Sequence, residues 1–120
     1  HRIYGRKHNT KKQFEEFLEA HFHKLGYHTQ LTKDSHDYGA DLILKNDREV
    51  LVVQAKRYSG RIGIAAVQQI AGAKGYYGAD RMLVVTNSYF TSAAINLAKS
   101  NGVELWDRND INHKFNIKGN

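Results

Sequence analysis

The first clear pattern along the chain is helical and begins after Thr10. Thr10 and Gln13 have the spacing of a capping box, in which each side chain bonds the backbone of the other residue. The apolar positions that follow recur every three or four residues and form one stripe: Phe14, Phe17, Leu18, His21, Phe22 and Leu25. Gly26 is typical of the residue that ends a helix. On this helix Glu15 borders the apolar stripe, whereas Glu16 faces water.

The rest of the chain alternates short apolar runs with helical patterns. Apolar runs bounded by turn-forming residues predict strands at residues 27–32, 41–45, 50–57, 81–86 and 103–106, the second and third of which form a hairpin. Helical spacing predicts helices at residues 64–77 and 91–101. The order αβββαβαβ implies a partly parallel sheet with helices on both faces. We therefore expect an α/β fold, a three-layer α/β/α domain with a mixed central sheet.

Composition excludes several kinds of protein. The 120 residues suffice for one domain, which we expect at residues 13–120 behind a basic lead-in at residues 1–12. The absence of cysteine excludes disulfides, thiolate zinc sites and a cysteine nucleophile in this sequence, and it fits a reducing, cytoplasmic location. The longest strictly apolar runs have four residues, as in residues 50–53. Such runs are too short to span a membrane, so we expect no membrane contact.

The distribution of charge points to a basic face. The formal net charge is +6, which suggests a polyanionic partner such as DNA. Much of the excess lies in the lead-in, which contains five basic residues and no acid. Residues 50–79 are also free of acids and carry Lys56, Arg57, Arg61 and Lys74. A local basic face therefore remains when the lead-in is set aside.

Two polar residues stand on an otherwise apolar strand face. Gln54 and Lys56 lie two positions apart and share a face with Val50 and Val52, and we expect a helix to cover that face. A buried lysine is costly unless a carboxylate accompanies it, so the pattern predicts a nearby acid. Asp41, at the start of the partner strand, is the natural candidate. The alternative interpretation is an ion pair at a strand end with a purely structural role.

Four short motifs occur in a specific order and spacing. They are Phe14-Glu15, Leu25-Gly26-Tyr27, Asp37-Tyr38-Gly39-Ala40-Asp41-Leu42 and Gln54-Ala55-Lys56-Arg57-Tyr58. In this order they resemble the Mrr-type restriction endonuclease domain of the PD-(D/E)XK nuclease superfamily. Later segments, Val85-Thr86-Asn87-Ser88 and Gly102-Val103-Glu104-Leu105-Trp106, are similar to the same family. The resemblance covers roughly residues 13–110 and implies a restriction-endonuclease-like fold.

The resemblance implies a metal-dependent nuclease site. By it, Asp41, the side-chain oxygen of Gln54 and the carbonyl of Ala55 would hold Mg²⁺, with Mn²⁺ as a substitute. Lys56 would orient the attacking water and offset charge, and Glu15 would hold a metal-bound water or a second ion. Gln54 stands where the superfamily usually has an acid, although glutamine is usual in the Mrr-type pattern.

Other polar residues are candidates for DNA contact. Six residues near the basic stretch or after an apolar strand could contact phosphates: Arg57, Tyr58, Arg61, Gln68, Asn87 and Ser88. A merely solvated loop is the alternative for those at residues 57–61, and helix capping is the alternative for the pair at residues 87–88.

The function that the resemblance implies is a Mg²⁺-dependent DNA endonuclease of the restriction type. A Holliday-junction resolvase-like nuclease or a catalytically inactive DNA-binding module are the alternatives. A double-strand cut needs two sites, so we expect a homodimer, with Tyr76, Tyr77 and Phe90 as exposed contact residues. A specificity module is expected outside this sequence, which shows no helix-turn-helix or zinc element.

Overall fold

The computed structural model describes residues 10–32 and 39–117, and these residues form a five-stranded sheet with helices on both faces. The helices are α1 (Lys11–Lys24), α2 (Ile64–Tyr77), α3 (Ser92–Asn101) and α4 (Arg108–Lys114). The strands are β1 (His28–Leu31), β2 (Leu42–Lys45), β3 (Val50–Lys56), β4 (Arg81–Thr86) and β5 (Val103–Trp106). The order αβββαβαβ is confirmed, and α4 follows it.

The sheet is mixed, as predicted. Its strands lie in chain order, with antiparallel pairing from β1 to β3 and parallel pairing from β3 to β5. In the β2–β3 hairpin Lys45 lies opposite Val50, and the Asn46 side-chain oxygen accepts hydrogen bonds from the N–H groups of Arg48 and Glu49. This Asx-type turn sets the register of the hairpin. The three-layer α/β/α prediction is therefore confirmed.

Each face of the sheet has its own apolar core. One core lies under α2 and α3 and contains Val52 and Val84 of the sheet with Ile70 of α2. The other lies under α1 and α4 and contains residues of the opposite strand parity, such as Leu51 and Val53. Alternation along β3 therefore sends successive side chains to different helical layers, as strand geometry requires.

The first helix matches its predicted limits but not its whole apolar stripe. The Thr10–Gln13 capping box is formed in both directions, and Gly26 takes a φ of +97° just beyond the helix. Glu15 borders the core and Glu16 is exposed, as predicted. Leu25 is wrong as a core residue, because it is 48% exposed. It lies at the C-cap, beyond the last helical residue.

The last helix was not predicted from the pattern. Asp107 and Asp110 form a capping box at its start, and Ile111 and Phe115 are the buried residues that anchor it. Two apolar positions in a short segment of Asn, Asp and His give little periodicity and low intrinsic helix propensity. Packing of Phe115 against Phe22 and Trp106 supplies the stability that propensity does not. Among the described residues, no helix has the length and apolar character to cross a membrane.

Candidate active site at the end of strand β3

The site begins where β2 and β3 separate. Asp41 precedes β2, and its N–H donates to the carbonyl of Val53 at 2.7 Å. Beyond this pair the Asp41 side chain takes the place of a backbone partner for β3, because its Oδ2 accepts the N–H of Ala55 at 2.8 Å. Asp41 is only 6% exposed, so its carboxylate needs such partners to remain buried. The fold therefore fixes this carboxylate on the last residues of β3.

Lys11 forms ion pairs with both the Asp41 carboxylate and the Glu15 carboxylate on α1. Lys11 Nζ lies 2.7 Å from Asp41 Oδ1 and 2.8 Å from Glu15 Oε2. Partial burial lowers the pKa of Lys11, but its hydrogen bonds and charge interactions with Asp41 and Glu15 outweigh this, and the pKa rises to about 12. The two predicted carboxylates are thus brought together around one cation.

The side-chain amide of Gln54 is held by one hydrogen bond through its nitrogen. Its Nε2 donates to the carbonyl of Gly39 at 2.9 Å, which fixes the orientation of the amide. Oε1 is buried and has no hydrogen-bond partner within the described part of the chain. Gly39 has a φ of +93°, and a Cβ at this position would collide with the carbonyl oxygen of Gln69 on α2. Only glycine lets the chain pass close enough to α2 to hold the amide in this way.

Lys56 differs from its prediction. It is half-buried rather than buried, and the cation that pairs with Asp41 in the described structure is Lys11. The reason is its position, since Lys56 is the last residue of β3 and lines an open cleft. It therefore needs no buried carboxylate partner.

The cleft has a strongly basic lining. Its volume is about 520 Å³, and its cationic lining residues are Lys11, Lys56, Arg57 and Arg61; none of the lining residues that the structure describes is acidic. Tyr58, which is 54% exposed, also lines the cleft, as does Ala55 at the Asp41 contact. This arrangement suits an extended polyanion that lies along the end of β3.

The loop that carries these residues is braced from behind. Asn87 Oδ1 accepts the N–H of Tyr58 at 2.8 Å, and Ser88 Oγ donates to the carbonyl of Gly60 at 2.7 Å. An isolated parallel bridge joins Ile62 to Phe90 in the same region. The side chains at residues 87–88 therefore position the loop, while Thr91 caps α3. Gln68 lies on the exposed face of α2, and the cleft-lining residues of the described structure do not include it.

The oxygen donors near the carboxyl end of β3 suit one kind of metal ion. In residues 10–32 and 39–117 no three or more His, Cys, Asp or Glu side chains form a cluster that could hold one. A hard cation such as Mg²⁺, however, takes amide and backbone oxygens with one or two carboxylates and keeps several waters. Here two carboxylates already hold an ammonium, and the buried Gln54 side-chain oxygen has no partner in the described part of the chain. The residues present therefore fit a divalent oxygen-seeking ion.

Sequence reasoning missed two parts of this arrangement. Lys11 was counted with the lead-in, although its spacing of four from Glu15 on a helix is a signal for an ion pair. The contact of Gly39 with α2 has no local signal, because it depends on a helix that follows 25 residues later. Asp37 and Tyr38, which belong to the motif with Asp41, lie outside the described residues.

The expected dimer surface is also changed. Phe90 is wrong as an exposed residue, because it is 5% exposed and packs in the core under α2 and α3. Tyr76 is exposed, and Tyr77 is half-buried against that core with its ring edge-on to Tyr76. The bridge to Ile62 draws Phe90 inward, so the apolar surface here is smaller than predicted.

Solved structures with a similar fold include two restriction endonucleases. The DNA modification-dependent restriction endonuclease AspBHI matches with a TM-score of 0.70 and 20% identity, over 91% of this chain and 32% of that chain. MspJI restriction endonuclease, solved in complex with a 27-mer oligonucleotide, matches with a TM-score of 0.56 and 18% identity, over 89% and 27%. AF1548, a protein of unknown function, matches with a TM-score of 0.65 and 15% identity, over 75% of this chain and 54% of that chain. The chain thus spans about half or less of each of these proteins.

The fold is that of the restriction-endonuclease class of α/β domains. The sequence profile of that family, described as restriction endonuclease, matches residues 6–114. The chain therefore belongs to the Mrr-type restriction endonuclease family, as the motifs predicted. No curated protein sequence matches the chain.

Proposed function

We propose that this domain hydrolyses DNA phosphodiester bonds as an endonuclease of the restriction type, with Mg²⁺ as cofactor and Mn²⁺ as a substitute. The ion would be held by Asp41, the Gln54 side-chain oxygen and the Ala55 carbonyl. The observation that carries the proposal is the buried Oε1 of Gln54, which has no partner among residues 10–32 and 39–117, since such an atom is costly unless a ligand completes it. Family membership supports the same chemistry.

The chain's own residues have separate tasks in this mechanism. When bound, the ion would polarise the phosphate as a Lewis acid. Lys56 donates hydrogen bonds to the attacking water and offsets the charge that develops on the phosphate. Glu15 accepts a hydrogen bond from a water in the site and so helps to place it. The Gly39 carbonyl keeps the amide oxygen of Gln54, and not its nitrogen, available as a ligand.

DNA binding uses the braced loop. Arg57 and Arg61 bind phosphates and Tyr58 packs against the sugar or base, from a loop whose position Asn87 and Ser88 hold. Gln68 contributes at the outer face of α2. The basic lead-in at residues 1–12 strengthens binding through charge. The comparison with MspJI, a restriction endonuclease solved with an oligonucleotide, supports DNA as the ligand.

The proposal also includes a homodimer, a separate specificity module and a cytoplasmic location. A homodimer would give the second active site that a double-strand cut needs. A specificity module outside residues 13–120 would select the DNA sequence, since AspBHI and MspJI are each more than twice as long as the part that matches. A cytoplasmic location fits a cysteine-free restriction enzyme.

The test is a cleavage assay on supercoiled plasmid, single-stranded DNA and a four-way junction, each with Mg²⁺ and with Mn²⁺. We expect the plasmid to be cut, and Lys56→Ala to lower the rate by about 10²–10³-fold, as is common for one group that stabilises developing charge. Lys74→Ala is the matched control, because Lys74 is exposed on α2 within the same acid-free stretch.

The outcomes separate the alternatives. Cutting of the junction alone would replace the restriction activity by a resolvase-like one. Binding of DNA without cleavage under either ion would leave a DNA-binding module. Equal rates for Lys56→Ala and the unmodified protein would overturn the assigned role of Lys56.

A further inference from the structure

We propose that Lys11 is the internal counter-ion of the metal-free site and that a divalent ion displaces it. This inference rests on the proposed function, because it concerns the same carboxylates. It assigns a role to a residue outside the family motifs, and this role is to lower the affinity for the metal.

The geometry defines the competition. One ammonium bonds Asp41 Oδ1 at 2.7 Å and Glu15 Oε2 at 2.8 Å, so it occupies a position between two oxygens that carry negative charge. The other Asp41 oxygen already accepts the N–H of Ala55. An ion that binds Asp41 must therefore replace Lys11 or share Asp41 Oδ1 with it. Two cations in contact with the same buried carboxylate repel each other, which favours replacement.

Lys11 is able to leave without a large rearrangement. Its side chain is 55% exposed, whereas that of Asp41 is 7% exposed, so the lysine is the mobile partner of the pair. It also lines the basic cleft with Lys56, Arg57 and Arg61. A displaced ammonium would therefore move into the cleft, where it meets phosphate rather than solvent alone. Metal binding in this way adds a cation to the surface that faces DNA.

The sign of the effect separates competition from a structural role. If Lys11 only held the carboxylates in place, its removal would disorder them and weaken metal binding. If Lys11 competes with the metal, its removal strengthens metal binding, because the ion no longer has to break two ion pairs.

The experiment is calorimetric titration of Mn²⁺ into the folded protein without DNA. We expect Lys11→Met to bind Mn²⁺ about tenfold more tightly, since two half-exposed ion pairs are removed. Lys12→Met is the matched control, because it removes the same charge from the neighbouring, exposed position of α1 and should leave the affinity unchanged. Asp41→Asn should lose the binding.

Each result has one meaning. If Asp41→Asn binds Mn²⁺ as the unmodified protein does, the proposed metal site itself is wrong. If binding depends on Asp41 but Lys11→Met binds equally or more weakly, the role of Lys11 is wrong and the metal site stands.

A second measurement needs no variant and covers the case in which Lys11→Met does not fold. Acetylation of the unmodified protein, followed by mass spectrometry, reports how accessible each lysine is. We expect Mn²⁺ to raise the labelling rate of Lys11 several-fold and to leave that of Lys12 unchanged. Equal labelling of Lys11 with and without saturating Mn²⁺ would overturn the proposal.

Discussion

At each end of strand β3 an aspartate side chain accepts a backbone N–H of the strand, but the surroundings of the two aspartates differ. At the amino end Asp80 Oδ2 accepts the N–H of Val50 at 2.9 Å, and at the carboxyl end Asp41 Oδ2 accepts the N–H of Ala55 at 2.8 Å. Each aspartate thus takes over a backbone bond where strand pairing stops. The surroundings of the two carboxylates, however, are opposite in character.

The amino end is electrostatically complete. Arg81 makes two hydrogen bonds to Glu104 and one to Glu49, each at 2.7 Å, and Tyr27 donates to Glu49. The bonds to Glu104, together with the charges of Glu104 and Glu49, raise the pKa of Arg81 despite its partial burial. Every charge in this cluster has a partner of opposite sign or a donor.

The carboxyl end is incomplete. Gln54 Oε1 has no partner among the described residues, and the cleft lining contains cations without acids. Because native structures satisfy nearly all buried polar atoms, an unsatisfied one indicates a ligand or a functional constraint. This difference supports the proposal that the carboxyl end of β3 is the functional end and that the amino end is a structural clamp.

The largest effect is expected from Asp41→Asn, with Asp80→Asn as the matched change at the other end of β3. Asp41→Asn keeps an oxygen for the N–H of Ala55 but removes the charge, so we expect metal binding to be lost and cleavage to fall by about 10³-fold. Asp80→Asn makes the same change at the other end and should leave both intact. Calorimetry and plasmid cleavage measure these effects, and equal loss in the two variants would contradict the division of roles.

The two glutamates at the start of α1 sharpen the position of the site. Glu15→Gln should lower the cleavage rate by about 10²-fold, because in the proposed mechanism the Glu15 carboxylate holds a water in the site. Glu16→Gln changes an exposed neighbour and should have no effect. Single-turnover rates at saturating Mg²⁺ provide the measurement. A larger effect at position 16 would show that the water-facing side of α1 carries the chemistry.

Gln54→Glu tests the hydrogen bond that the Gln54 amide donates to the Gly39 carbonyl. The change replaces an N–H that donates to the Gly39 carbonyl with an oxygen that can only accept, so we expect the metal-free protein to lose about 2 kcal/mol of unfolding free energy. Saturating Mn²⁺ should restore part of this loss, because it binds the folded state. Urea unfolding with and without the ion measures both.

Gln13→Glu is the matched control for this variant. Gln13 uses its oxygen to accept the N–H of Thr10, and glutamate keeps that function. Its stability should therefore be unchanged. If Gln54→Glu were equally stable without metal, the Gly39 carbonyl would not be selecting the amide.

The smallest effect is expected at the structural clamp. Arg81→Met removes its bonds to Glu49 and Glu104, all partly exposed, and should lower the unfolding free energy by about 1 kcal/mol, since solvent screens such pairs. The cleavage rate per folded molecule should not change. A loss of activity at temperatures where the variant is fully folded would show that the two ends of β3 are coupled.

The sequence by itself determined the parts that depend on local pattern. The Thr10–Gln13 capping box, the hairpin at residues 46–49 and the alternating faces of β3 follow from spacing alone, and the structure confirms them. The family was identified from the resemblance of four short motifs in their order and spacing, and the family profile confirms it.

Tertiary structure decided what those residues contact. Lys11 and Asp41 are 30 positions apart, and Gly39 and Gln54 are 15 apart, so no local spacing predicts either pair. The exposure of Lys56 and Leu25 and the burial of Phe90 likewise depend on where helices and loops stop over the sheet. Periodicity specifies the face on which a side chain lies. Partners and exposure come from the packing of distant segments, because each depends on chain that is far away in sequence.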